Sequence, residues 1–183
     1  PRKNILALLD AYERLPVRLR QQWPLVLTGH HGWRSEKIHE RISRGAEAGW
    51  VKYLGFAESD DLPLIYAGAK LFVFPSLYEG FGLPLLEAMA AGAPTVVAGT
   101  GGLAEIVAGT GAGLLFEPGN HHELADRIEQ VLKQPTLANS LQTTAAQLLT
   151  DHYTWDAIAA STIAVYTSAF SSHAPATTVG GHA

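Results

Sequence analysis

Apolar residues recur at helical spacing in Ile5, Leu8, Leu9 and Tyr12. This predicts a helix from Lys3 to Leu15, ended by Pro16, which has no amide to continue the ladder. Pro24-Leu-Val-Leu-Thr28 is instead a short unbroken apolar run closed by Gly29, the pattern of a buried strand. The two patterns then alternate. Ser35 stands where it can cap a helix to Ala48, Val51 to Leu54 reads as a strand, and Asp60 or Asp61 opens a short helix to Tyr66. Lys70 to Phe74 is a strand stopped by Pro75. Pro84 to Ala91 carries a proline suited to a first helical turn, followed by good helix formers. Strands follow at Thr95 to Ala98 and Gly113 to Phe116. From Asn120 the pattern is helical: one helix to Gln134, broken by Pro135, a second to Leu149, and a third from Thr154 to Phe170. From Ser171 onward Ser, Thr, Ala, Gly and His occur without periodicity, so residues 171–183 read as a disordered tail or an expression remnant.

Strands alternating with helices indicate right-handed βαβ units and a Rossmann-like, doubly wound parallel sheet covered on both faces. The expected fold class is α/β, with residues 1–170 as one domain. With 183 residues, 47% hydrophobic and 16% charged, the chain can bury a sizeable core. A net charge of −4 excludes the basic surface that a nucleic-acid binder needs, and the Arg14, Arg18, Arg20 trio reads as a solvated helix end. The absence of cysteine removes disulfides and thiol chemistry and fits a reducing, cytoplasmic setting. No run approaches the ~18 apolar residues of a membrane span, and no signal-peptide pattern opens the chain.

The chemistry concentrates after the strand that ends at Phe74. Glu79 and Glu87 flank the glycine-broken segment Gly80-Phe81-Gly82-Leu83. In open α/β sheets ligands bind outside the carboxyl ends of the strands, and the amides of this loop would face that crevice beside a positive helix end. Carboxylates accept hydrogen bonds from adjacent hydroxyls, so Glu79 is a candidate for a sugar and Glu87 for a second diol such as ribose. The plainer alternatives are that Glu79 caps the helix and Glu87 is a solvated helical charge. Gly99-Thr-Gly-Gly102 is a second candidate nest of amides or a simple tight turn, and Glu105 reads as a capping carboxylate of the following helix. His30-His31 and His121-His122 are adjacent pairs that rarely chelate one ion, and we expect no protein-bound metal. A dehydrogenase is disfavoured because no Gly-x-Gly-x-x-Gly follows a strand.

The run Glu79-Gly-Phe-Gly-Leu-Pro-Leu-Leu-Glu87-Ala-Met-Ala-Ala-Gly-Ala-Pro-Thr-Val-Val97 closely resembles the donor-site motif of the family-four retaining glycosyltransferases of GT-B fold. Pro1-Arg-Lys-Asn4 resembles the family's lysine-bearing loop, Trp50 to Phe56 its nucleotide-base segment, and Gly101 to Ile106 with Gly113 to Phe116 its following turns. The likeness extends over about residues 1–170. It implies that Lys3, assisted by Arg2, stabilises the departing diphosphate, while Glu79 orients the sugar and need not be a nucleophile. Gly55, Phe56, Ala57, Asp61 and Leu62 would meet the base, with Phe56 or Leu62 over its face and Thr28 and Gly29 lining the same crevice. Asp60 or Asp61 can equally be a helix cap, and Thr28-Gly29 an ordinary strand-ending turn.

The resemblance further implies retaining, metal-independent transfer from a nucleotide sugar, with no cofactor beyond that donor substrate. The likeness to bacterial mannosyltransferases of surface polysaccharide synthesis points to GDP-mannose. A UDP-hexose donor, a non-hydrolysing sugar-nucleotide epimerase and a non-catalytic nucleotide-sugar module are the alternatives. No strand precedes the first helix, where this family places one, so a fragment is expected. The N-terminal domain would then supply the glycan or lipid-linked acceptor site, and peripheral association of the whole protein with a membrane face stays open. The last helix would either pack back across that domain, exposing apolar surface at Trp155, Ile158 or Val165, or pack on its own domain.

Overall fold

Every strand among the described residues pairs in parallel. The computed structural model describes residues 2–32 and 35–172. Helices α1 (Ile5–Arg14) and α2 (Val17–Gln22) precede β1 (Leu25–Thr28), α3 (Glu36–Glu47), β2 (Val51–Gly55), α4 (Leu62–Ala67) and β3 (Phe72–Phe74). Then come α5 (Leu83–Ala90), β4 (Thr95–Ala98), α6 (Gly101–Val107), β5 (Leu114–Phe116), α7 (His121–Lys133), α8 (Pro135–His152) and α9 (Trp155–Ser172). Leu25 pairs with Val51, Phe72 with Thr95, and Val96 with Leu114.

The doubly wound α/β arrangement is present, but its strands form two ladders, β1-β2 and β3-β4-β5, where one sheet was expected. β4, paired on both edges, is buried along its whole length. Its side chains alternate between faces with the period of two that a strand imposes. Val96 and Ala98 join Leu8, Leu9, Leu124 and Ile128, whereas Val97 joins Leu85, Met89, Leu103 and Ile106. The core therefore has two halves, one under α1 and α7 and the other under α5, α6 and α8. Leu25 and Val51 belong to the first half, which holds the two ladders together.

Several local expectations need correction. α2 was not foreseen, because Pro16, read as a terminator, becomes the N-cap of a second helix with no apolar periodicity. Arg20 in that helix is not simply solvated: its Nε donates to the Leu15 carbonyl at 3.2 Å and its guanidinium lies 5.6 Å from the Trp50 ring centroid. Ser35 holds the N-cap position of α3, yet its hydroxyl turns back to the Gly32 carbonyl and caps nothing. Glu105 is the fifth residue of α6, outside the first turn, so it is no cap. Asn120 behaves as expected, its side chain accepting from the Glu123 amide at 3.0 Å.

α9 extends through Ser172, two residues past the expected end. The tail reading for residues 173–183, and the motif positions Pro1 and Trp33, lie outside the described residues. The expectation of exposed apolar surface is met: Trp155 is 86% exposed, Ile158 42% and Val165 68%. Among the described residues no helix is long and apolar enough to cross a membrane.

Candidate functional site

The loop between β3 and α5 is shaped by glycines that tertiary contacts require. Gly82, the N-cap of α5, has φ 94°, and a Cβ there would sit 2.6 Å from Leu103 Cδ2. A Cβ on Gly102 would meet the carbonyl oxygens of Phe81 at 3.3 Å and Gly80 at 3.4 Å. The two glycine-rich turns thus lie against one another. Gly99-Thr-Gly-Gly-Leu-Ala104 has the spacing of a dinucleotide fingerprint with alanine in its last place, but this chain's own 80–81 carbonyls occupy the approach over Gly102. It is a packing turn. With glycine as N-cap, no side chain caps α5, and its positive end opens on the loop.

The start of the chain is fastened to this loop. The Leu77 amide donates to the Arg2 carbonyl at 2.9 Å, and Asn4 turns the chain in the left-handed region with φ 51°. Lys3 then lies over the Phe74 ring at 4.9 Å and donates from Nζ to Glu79 Oε1 at 2.7 Å. The N-cap position of α5 belongs to Gly82, not to Glu79. The Glu79 side chain is 11% exposed, against 47% for Lys3. Burial pushes its carboxyl up, but the hydrogen bond from Lys3 and the charges of Lys3 and Arg2 outweigh this and hold it below the ordinary carboxylate value. Glu79 is therefore ionised at neutral pH, a pure acceptor beside a cation.

Glu87 is exposed on α5, and its Oε2 accepts from the Tyr66 hydroxyl at 3.3 Å. Tyr66 packs edge-on against Phe72 at 5.3 Å, and Phe72 lies 5.7 Å from Phe74, the ring beneath Lys3. An aromatic row thus links the Glu87 end of the site to the Lys3–Glu79 end.

The remaining predicted residues gather at the carboxyl ends of β1 and β2. Thr28 Oγ1 donates to the Gly55 carbonyl at 2.9 Å, the Gly29 amide donates to the same oxygen at 2.7 Å, and Tyr53 donates to the Gly29 carbonyl at 2.7 Å. Thr28 and Gly29 are thus a strand-ending turn. Phe56 is exposed and stacks on His30 at 4.4 Å with a 19° interplanar angle. Ala57 follows it half-buried, Asp61 holds the N-cap position of α4 without a side-chain cap bond, and Leu62 begins that helix. The adjacent histidines diverge, His30 onto Phe56 and His31 onto His39 at 3.6 Å. Among the described residues no group of three or more His, Asp or Glu side chains is placed to hold a metal.

Sequence reasoning missed Tyr66, Phe74 and His30, whose contacts join separate elements and leave no local signal.

A parallel α/β domain with an acid–base pair at a glycine-entered helix has the layout of a GT-B glycosyltransferase half. The sequence profile described as "Glycosyl transferases group 1" matches residues 1–148, and the chain belongs to that family. It is 39% identical over 166 residues to the O-antigen chain mannosyltransferase B of Escherichia coli, covering 91% of this chain and 43% of that protein. The chain thus spans less than half the length of this relative. Among solved structures, sucrose-phosphate synthase from Thermosynechococcus elongatus superposes with a TM-score of 0.77 at 30% identity, over 93% of this chain and 43% of that one. Alr3699/HepE of Anabaena, solved in complex with UDP-glucose, superposes with a TM-score of 0.65 at 33% identity, over 82% of this chain and 43% of the other.

Proposed function

We propose that this chain is the donor-binding domain of a retaining, metal-independent glycosyltransferase that takes a nucleotide sugar, GDP-mannose, and passes the sugar to a glycan or lipid-linked acceptor. The observation that carries this reading is the Lys3–Glu79 pair, 2.7 Å apart, at the uncapped N-terminus of α5. A diphosphate gathers charge as the anomeric bond breaks. Lys3, Arg2 and the amides of Gly80 to Leu83 are the groups placed to receive it. Glu79, kept ionised, accepts from sugar hydroxyls, and Glu87 accepts from the ribose diol. Phe56 and the Gly55 to Leu62 segment take the base.

The mannose assignment draws on the Escherichia coli mannosyltransferase relative, and a UDP-hexose donor is favoured instead by the UDP-glucose complex of Alr3699/HepE. The exposed apolar residues of α9, Trp155 at 86% and Val165 at 68% exposure, suit a surface against the acceptor-binding half of such an enzyme.

The test is binding to the chain itself. GDP should raise the melting temperature more than equal concentrations of UDP or ADP, through preferential binding to the native state. A larger shift with UDP reverses the base assignment, and no shift with any of the three sinks the donor-site reading. Glu87→Ala should weaken nucleoside diphosphate binding by about 1–3 kcal/mol, the scale of hydrogen bonds to a charged group. Glu79→Ala should leave that binding unchanged or slightly tighter, because it releases Lys3. Equal weakening in both variants, measured by calorimetry, would contradict the division between ribose and sugar.

A further inference from the structure

Unlike Glu79, which is paired with Lys3, Glu87 makes no salt bridge among the described residues, and its side chain projects from an exposed position on α5. A free glutamate on a helix samples several rotamers, and binding a ligand through it must restrict them all. One contact opposes that freedom. The Tyr66 hydroxyl, on α4, reaches across to Glu87 Oε2 at 3.3 Å.

Tyr66 is suited to hold still what it touches. It sits half-buried in the last turn of a helix that Asp61 and Leu62 begin, and its ring stands at 89° to Phe72 on the neighbouring strand. Burial pushes its phenol up to about 12, with the Glu87 carboxylate adding to the rise, so the hydroxyl keeps its proton and remains a donor across the neutral range. A carboxylate oxygen has two acceptor sites, so Glu87 bound to Tyr66 still offers Oε1 and the second lone pair of Oε2. The phenol oxygen can itself accept while its hydrogen is engaged. Two neighbouring hydroxyls meet a fixed pair of acceptors in this way.

We infer that Tyr66 is a positioning residue that presets Glu87 for a vicinal diol, giving the domain its preference for ligands with an intact ribose. This rests on the donor-site reading of Glu87 proposed above. Tyr66 touches no reacting atom. Its part is to remove the rotamer freedom of the group that meets the diol, which binding would otherwise have to remove.

The experiment compares GDP and UDP with their 2′,3′-dideoxy forms by calorimetry on the whole chain and on Tyr66→Phe, which keeps the ring against Phe72. The wild-type chain should prefer the diol-bearing nucleotide. Tyr66→Phe should weaken GDP or UDP binding by about 3- to 10-fold, the range of one hydrogen bond, and leave the dideoxy form unmoved. Combined with Glu87→Ala, it should add nothing further, because its effect passes through that carboxylate. Equal weakening for both nucleotide forms, or full additivity with Glu87→Ala, marks a merely structural role and overturns the inference. A wild-type diol preference that survives in Tyr66→Phe does the same while leaving the donor site standing. Failure of the wild-type chain to bind either nucleotide removes the donor-site reading and this inference together.

Discussion

Lys3→Met lowers sugar transfer by about 100- to 1,000-fold in an active transferase carrying this domain, the effect of deleting one preorganised donor from a site of developing charge. On the chain itself, calorimetry with GDP or UDP should show a loss of about 1.5–3 kcal/mol, since a charged hydrogen bond to the diphosphate disappears. Methionine keeps an apolar stem against Phe74, where the lysine now lies 4.9 Å from the ring centroid. The loss is therefore one of charge. Unchanged diphosphate affinity would remove Lys3 from the site.

The same substitution acts on Glu79 in a pH-dependent way. Burial opposes ionisation of this carboxyl, and the hydrogen bond from Lys3, reinforced by its charge, pulls it back below the ordinary carboxylate value. A lowered carboxyl means that the unfolded chain binds more protons than the folded one just below the ordinary carboxylate value. The stabilisation is complete above that value and is lost as pH falls through the lowered one. Lys3→Met should therefore be less stable than the wild type at neutral pH, and the gap should close on acidification as Glu79 takes up its proton. Denaturant melts at several pH values read this directly, and a gap constant with pH contradicts the assignment.

What the sequence made legible was what depends on neighbours along the chain. Alternating strand and helix periods gave the α/β class. Pro75 and Pro84 marked the ends of the loop that holds Glu79. The proline at position 16 misled, because it ends one helix and begins another, and the six residues of α2 are too few and too polar to show a period. Contacts across long separations were invisible. Lys3 and Glu79 are 76 residues apart; the family resemblance assigned both to the donor site but did not pair them with each other. Tyr66 and Glu87 lie on different helices, 21 residues apart, with no spacing rule to join them. Phe56 was read as free to cover a base, whereas His30 already stacks on one face of its ring. The division into two ladders depends on which strand edges meet, and side-chain periodicity does not report that.

Gly82→Ala tests whether the loop is held by packing or by local turn chemistry. At φ 94° an alanine already costs about 1–2 kcal/mol, because its Cβ crowds the following carbonyl. Its Cβ would in addition arrive 2.6 Å from Leu103 Cδ2. Leu103 is fully buried among Leu85, Val97 and Ile106, so it has no free space into which to turn, and overpacking of such a site costs a further ~1–3 kcal/mol. A total of about 2–5 kcal/mol corresponds to a fall in melting temperature on the order of 10 °C for a chain of this length. Gly92→Ala is the control. It too has a positive φ, 80°, but a Cβ there meets nothing within 4 Å, so only the backbone cost applies. The difference between the two variants isolates the Leu103 contact. Gly82→Ala should also weaken diphosphate binding beyond what its lower stability explains, because relieving the clash moves the amides at the start of α5, whereas Gly92→Ala, at the far end of that helix, should bind as the wild type does. Equal destabilisation by the two substitutions would show that Leu103 does not fix the loop, and the glycine at position 82 would then be needed for its backbone angle alone.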